Sequence, residues 1–266
     1  SSYLGSGRVG SRGSALCSPV HAPRSSALRR GGRMSASRAD LLFMAQIAEQ
    51  AERWDDMRGY MSRIAMLGQP LEVFERSMLS QAFKESANAR RLALRSVRGY
   101  VGASPRVAEY QAKLQAELAE CCQGVLDLLP VLISVSTDVE GKVFYLKLTG
   151  DYCRYLAEFD SPGAVEKAKQ AYEEAMSLAT TGLSGHHPGR LGLALNFSVF
   201  QNEVLKDRQS AIALAKQTLS TLEGDPIDPN DPDASANMDI MQILTENLLL
   251  WQQSSGGEDG TAVEEM

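Results

Sequence analysis

The sequence predicts an all-α protein, a bundle of about nine helices, and three observations carry that reading. Ala, Leu, Glu, Lys, Arg and Met are plentiful while aromatic residues make up only 6% of the chain, a balance that favours helix. Apolar residues recur every three to four positions in the longer segments, the period of a helix with one buried side. Proline and glycine clusters then punctuate these segments at helix-sized intervals. With 44% hydrophobic content among 266 residues, the chain can supply a sizeable core in one or two domains.

Residues 1–36 are a different material, a Ser/Gly/Arg-rich extension. Residues 1–33 contain six arginines and no acidic residue, and without a helical or strand period they are expected to be disordered. Their composition resembles an organelle transit segment. The competing reading takes Met34 as the initiator and the preceding residues as upstream readthrough. Gly5-Ser-Gly-Arg-Val-Gly10 matches GxGxxG formally, but no strand precedes it and no helix follows, so it is not a dinucleotide site.

Residues 34–266 hold 21 basic against 33 acidic residues, a net of −12. An acidic body of that size argues against nucleic acid as the partner. No apolar run approaches the roughly 18–20 residues of a membrane span, so no membrane partner is expected. The four cysteines form neither CxxC nor a spaced Cys/His set, and Cys121 and Cys122 are adjacent. Reduced thiols in a cytosolic or nuclear protein account for them. His186 and His187 lack Cys, Asp or Glu at ligand spacing, so no metal site is expected. No P-loop, nucleophile elbow or HExxH occurs, and three histidines leave little for acid/base work, so neither an enzyme nor a cofactor is expected.

The helices follow in order. Residues 40–67 read as two, with Ala48–Met57 at their junction. Residues 71–101 form a third that carries Lys84, Arg91 and Arg95. Spacings of seven and eleven return to within roughly 20° of the starting direction, so these cations share a face that Glu85 does not neutralise. The segment Ser96–Pro105 has two glycines and a proline, so this helix should end near Arg98 with a loop to about Ser104. Residues 105–131 make a long helix ended by Pro130, and 135–142 connect it to the next.

Residues 143–158 read as one amphipathic helix around which the chain is organised. Its polar side carries Lys147, Arg154 and Tyr155. An arginine beside a tyrosine hydroxyl can offer a phosphate oxygen a forked donor and a third hydrogen bond. Residues 163–180 are a clean amphipathic helix; no 34-residue period recurs, so a tetratricopeptide array is not supported. The helix starting near Pro188 has an apolar strip, Leu195 and Val199, beside a polar one, Asn196 and Glu203. Residues 209–222 are the penultimate helix, followed by the acidic proline-rich loop 225–232, which cannot be helical throughout. On the last helix, about 234–252, Ile240, Ile243, Asn247 and Leu250 follow the spacing of one face. A short acidic tail, 255–266, closes the chain and should be disordered.

Several of these segments resemble the 14-3-3 family. Leu79-Ser80, Ala82-Phe83-Lys84, Ala89-Arg90-Arg91 and Arg95 match its first signature. Phe144-Tyr-Leu-Lys147, Gly150-Asp-Tyr152 and Arg154-Tyr-Leu-Ala-Glu158 match its central helix. His187-Pro188 and Arg190-Leu-Gly-Leu-Ala-Leu-Asn-Phe-Ser-Val-Phe200 match its longest signature. The similarity runs from about Leu41 to Trp251 in the right order and spacing. Two departures stand out. The family's Ser-Ser-Trp is Leu92-Ala93-Leu94 here, so regulation through a phosphorylated serine at Ala93 is absent. Asp239 stands where the family has a leucine, and a carboxylate there would weaken apolar peptide contacts.

The resemblance implies an antiparallel bundle, residues 37–254, that forms a cup-shaped homo- or heterodimer. It implies a cytoplasmic or nuclear adaptor that holds phosphoserine and phosphothreonine clients, a recognition mode built on arginine clusters. Lys84, Arg91, Arg154 and Tyr155 would grip the phosphate. Lys147, Asn196, Glu203 and Asn247 would hold the peptide, and Leu195, Val199, Ile240, Ile243, Leu250 and Trp251 would pack its side chains. Ile47, Ala51 and Tyr110 would face the second subunit, with Asp56 paired to Lys113 and Arg53 to Glu117 across the two-fold axis. The alternative is an adaptor with a diverged groove for unphosphorylated amphipathic segments.

Overall fold

The computed structural model describes residues 36–100, 102, 104–158, 161–223 and 234–255. The loop 225–232 and nearly all of the two end segments expected to be disordered lie outside these residues. Ten α-helical segments follow one another: α1 Arg38–Gln50, α2 Trp54–Ala65, α3 Val73–Val97, α4 Pro105–Leu126, α5 Leu129–Val135, α6 Val139–Ala157, α7 Ala164–Gly182, α8 Pro188–Glu203, α9 Arg208–Glu223 and α10 Ala234–Ser255. A 3-10 turn, Arg98–Tyr100, extends α3. No strand occurs among the described residues.

The count of ten meets the expected nine because α4 and α5 are two parts of one interrupted rod. Pro130 causes the interruption: it has no N–H to bond the carbonyl of Leu126, and its ring crowds that carbonyl. It sits in the first turn of α5. Pro130 therefore begins a helix where the sequence suggested an end. The expected connection 135–142 also shrinks, because Asp138 caps α6 by accepting a hydrogen bond from the Gly141 amide and the helix starts at Val139. At α1, Ser37 and Asp40 form a reciprocal capping box. His187 caps α8 through Nδ1, which accepts from the Gly189 amide, with Pro188 as the first helical residue. Helix α3 stops where the glycines predicted, and Gly102 takes a left-handed φ of 87° in the connection that follows.

Short connections make consecutive helices pack as antiparallel neighbours, and their apolar faces form three cores. The largest joins α1–α6 through Met57, Met61, Ile64, Leu79, Phe83, Leu118 and Leu132 among others. The second joins α6, α7 and α8 through Tyr172, Leu193, Phe197 and Phe200. The third, between α8, α9 and α10, is smaller: Ala211, Ala215, Leu244 and Trp251.

Helix α6 belongs to two of these cores. Tyr145, Leu148, Tyr152 and Leu156 face the first, and Val143, Leu146 and Cys153 face the second. The amphipathic helix of the sequence reading is thus apolar on two sides, and its polar stripe is itself largely covered. Gly150 permits the contact with α7, since a Cβ there would lie 2.6 Å from the Tyr172 ring.

By length and mean composition, the rod Pro105–Val135 is apolar enough to cross a membrane, which the absence of a continuous apolar run did not suggest. Its Leu118, Cys121, Cys122, Val125, Leu129 and Leu132 are buried in the first core, and Glu120 and Asp127 interrupt the apolar run, so its hydrophobicity serves the bundle. Cys121, Cys122 and Cys153 are buried free thiols. Burial, followed by the neighbouring Cys121, pushes the Cys122 thiol up to about 12, so it stays protonated and unreactive.

Candidate functional site

The polar stripe of α6, at positions 147, 151, 154, 155 and 158, meets α3 on one side and α7 and α8 on the other. Asp151 is its centre. Its Oδ2 accepts from Lys147 Nζ at 2.8 Å, and its Oδ1 accepts from the Tyr172 hydroxyl at 2.6 Å and from Asn196 Nδ2 at 2.7 Å. Arg154 approaches the same oxygen at 4.0 Å. Burial raises the cost of ionising this carboxyl. The charges of Lys147 and Arg154, with hydrogen bonds from Lys147 and Tyr172, outweigh that cost and hold it below its ordinary value. The residue is an anion tying three helices together.

Arg154 is only 7% exposed, so it is far from a free surface arginine. Its Cζ lies over the Tyr155 ring, 4.7 Å from the centroid, and Arg91 from α3 lies over the same ring at 4.3 Å. Such contacts contribute about 0.5–2 kcal/mol each, depending on desolvation. Glu158 accepts from Arg91 at 2.9 Å, fixing the α3 guanidinium next to α6. Arg154 Nε is buried with no hydrogen-bond partner among the described residues. Two arginines therefore converge on one tyrosine, each restrained by a carboxylate, and one retains an unused donor.

Of the expected phosphate-binding residues, the structure brings Arg91, Arg154 and Tyr155 into contact. Lys84 is exposed and stands two turns back on α3, about 10 Å along the axis. Among the expected peptide-binding residues, Lys147 and Asn196 join the Asp151 network. Leu195 and Val199 are half-buried against the third core, and Glu203 is exposed at the end of α8. On α10, Ile240 and Asn247 are half-buried, and Ile243 and Leu250 are exposed. Trp251 turns the other way, 6% exposed among Ala211, Ala215 and Leu244, so it supports that strip from behind.

The expected dimer residues occupy α1, the α1–α2 turn, α2 and α4. Ile47 is 43% exposed and is flanked by exposed Phe43 and Met44; Tyr110 is also exposed, as is Ala51. Within the single chain, Arg53 pairs with Asp56 at 2.9 Å and Lys113 with Glu117 at 4.0 Å.

Sequence reasoning missed the roles of Asp151, Tyr172 and Glu158. One of the three had a signal. Asp151 lies four residues after Lys147 and three before Arg154, so it shares a helix face with both, whereas the partner of Glu158 is Arg91, 67 positions away on α3. Tyr172 is on another helix, and nothing local marks it as a donor to Asp151.

Over most of its length the chain is similar to known proteins. The family model described as 14-3-3 protein matches residues 44–252. A 14-3-3-like protein 1 from Caenorhabditis elegans is 40% identical over 237 residues, covering 85% of this chain and 96% of the relative. A 14-3-3-like protein from Fucus vesiculosus is 39% identical over 251 residues, 87% of this chain and all of the relative. The 14-3-3 protein beta/alpha from Homo sapiens is 38% identical over 243 residues, with 87% and 99% covered. The matched region contains the cationic cluster on α3 and α6 and most of the strip on α8 and α10, and the chain belongs to the 14-3-3 protein family.

Proposed function

We propose that this chain is a cytoplasmic, phosphoserine- and phosphothreonine-binding dimeric adaptor that scaffolds or masks client proteins in signalling. Family membership supports the adaptor role. The observation that carries the phosphate reading is the pair Arg91 and Arg154 over Tyr155, with an unpartnered Arg154 donor, inside an otherwise acidic protein. A phosphate group brings about −1.5 to −2 charge and several strong acceptors. Arg91 uses one terminal nitrogen on Glu158, so its other donors remain available. Lys84, on a flexible stem, completes the cluster from α3.

In this reading the client peptide lies between the cationic stripe and the strip on α8 and α10. Asn196 has a second role there. Its amide nitrogen is committed to Asp151, which leaves the carbonyl oxygen to accept from the peptide backbone. Lys147, Glu203 and Asn247 contribute further polar contacts. Leu195, Val199, Ile240, Ile243 and Leu250 receive apolar side chains, with Trp251 behind them.

The second subunit docks on exposed Phe43, Met44, Ile47, Ala51 and Tyr110, where apolar burial supplies the affinity. The surface ions Arg53, Asp56, Lys113 and Glu117 exchange their intrachain partners for cross-subunit ones at little net gain, since exposed pairs contribute under about 1 kcal/mol. Sedimentation at micromolar concentration should give a dimer; a monomer would remove this part of the proposal.

The binding test is fluorescence anisotropy of a peptide carrying Arg-Ser-x-Ser-x-Pro, with its second serine phosphorylated or not. Tight binding of the phosphorylated form alone, lost in Arg154→Ala, is expected. Equal affinity for both forms would sink the phosphate reading and favour a groove for unphosphorylated segments.

A further inference from the structure

The cationic stripe of α3 does not stop at Arg91. From Ser86 to Ala108 the chain carries five arginines and no acidic residue, within a body of strongly negative charge. Two of these arginines are paired, Arg90 with Asp55 and Arg91 with Glu158. Arg95 and Arg98 are exposed, and no hydrogen bond or ion pair joins either side chain to another described residue.

Both project from the side of α3 that Arg91 occupies. At 100° per residue, Arg95 is offset from Arg91 by about 40° and Arg98 by about 20°. Arg98 retains helical angles, φ −58° and ψ −37°, so this direction carries over to it. Along the axis they stand roughly 6 and 10 Å beyond Arg91. An extended peptide advances about 3.3 Å per residue, so these distances correspond to about two and three peptide positions. A cation in the last turn also suits the helix dipole. Arg95 stands in the last turn of α3 and Arg98 is its C-cap residue, so the dipole accounts for a cation at each, but not for their shared direction with Arg91 or the acid-free run around both.

We propose that Arg95 and Arg98 form a second anion subsite, which selects clients carrying an acidic or phosphorylated residue two to three positions from the principal phosphoresidue. The proposal rests on the phosphopeptide reading of Arg91 and Arg154. The subsite is chemically simple, two exposed guanidiniums in line with the first, and it fits any tetrahedral or planar oxyanion that the peptide brings within reach. Because both groups are exposed, each contact is weak and screened by salt.

The test uses the full chain and a labelled phosphoserine peptide with neutral flanks. It is compared with versions carrying glutamate, or a second phosphoserine, two and three positions away on either side. On one of the two sides, the added anion should tighten binding about three- to tenfold, more for phosphate than for carboxylate. The gain should vanish in the Arg95→Gln/Arg98→Gln double variant and in high salt. Arg98→Gln alone should lose most of it while binding the neutral-flank phosphopeptide within about twofold of the parent. Equal affinity of the parent for flanked and neutral phosphopeptides would overturn the subsite, as would a gain that survives in the double variant. If no phosphopeptide binds the parent at all, the Arg91–Arg154 reading fails and this one with it.

Discussion

The cationic cluster on α3 and α6 and the strip on α8 and α10 are built by opposite means. The charges of the first are sunk into the bundle and held: Arg154 is buried, Asp151 takes three hydrogen bonds from three helices, and Glu158 ties α3 to α6. The second presents Ile243 and Leu250 to the surface over a small core of alanines, Leu244 and Trp251. A charge removed from water must be restrained by partners, whereas an apolar side chain on a surface needs none. The first region therefore sets one geometry for one chemical group, and the second tolerates many side chains.

Breaking the buried charges should have the largest effect. Arg154→Ala is expected to reduce phosphopeptide affinity by about a hundredfold or more, since truncating one member of a buried charged set typically costs 2–5 kcal/mol; anisotropy measures it. Asp151→Ala should act on the fold as well. It leaves Lys147, Tyr172 and Asn196 without their acceptor, and urea titration should show a loss of about 3 kcal/mol. A stability unchanged within error would mean that Asp151 does not organise the cluster.

Acid provides a graded version of the same break. Asp151 lies below its ordinary value near 3.8. Asp55 and Glu75 are depressed too: burial pushes each up, and the arginines beside them, Arg90 and Arg38, outweigh it. A carboxylate with a depressed native pKa stabilises the fold above its unfolded pKa, and that contribution is lost as pH falls through the native value. Melting temperature should therefore change little through these groups between pH 7 and about 5, and drop steeply below about pH 4. Asp151→Asn should flatten that drop; an equally steep one would assign acid lability to other groups.

The surface strip should respond mildly. Ile243→Ala should leave stability within about 0.5 kcal/mol and weaken peptides with apolar flanks a few-fold. Asp239, exposed one position before Ile240, gives the smallest expected change. Asp239→Leu should tighten the same apolar-flanked peptides about twofold, with no effect on a peptide lacking them, and equal affinities would show that this carboxylate simply faces solvent.

Elements with one apolar face were legible in the chain almost to the residue, because period, caps and breakers are local. Helix α3 ends as Gly99 and Gly102 suggest, and α8 starts at Pro188 behind its histidine cap. The misreadings came from residues with two uses. Pro130 can stop a helix or open one, and only the register of the following turn selects between them. Asp138 reads as part of a connection until its carboxylate is seen to cap α6. Arg154 and Tyr155 were visible as a pair by spacing, yet spacing could not tell a solvated arginine from a buried one.

Local residue patterns set the helical class, the order of the helices, the stripe of cations on α3 and the apolar stripes on α8 and α10. Each follows from residue types repeated at the helix period, which needs no knowledge of neighbours. Tertiary structure alone decided that α6 would be enclosed by two cores. It also decided that Tyr172 and Asn196 would reach Asp151 from other helices, and that Glu158 would meet Arg91 across 67 positions of sequence. Those contacts join side chains far apart in the chain, and the cost of burying a charge is set by what surrounds it after folding.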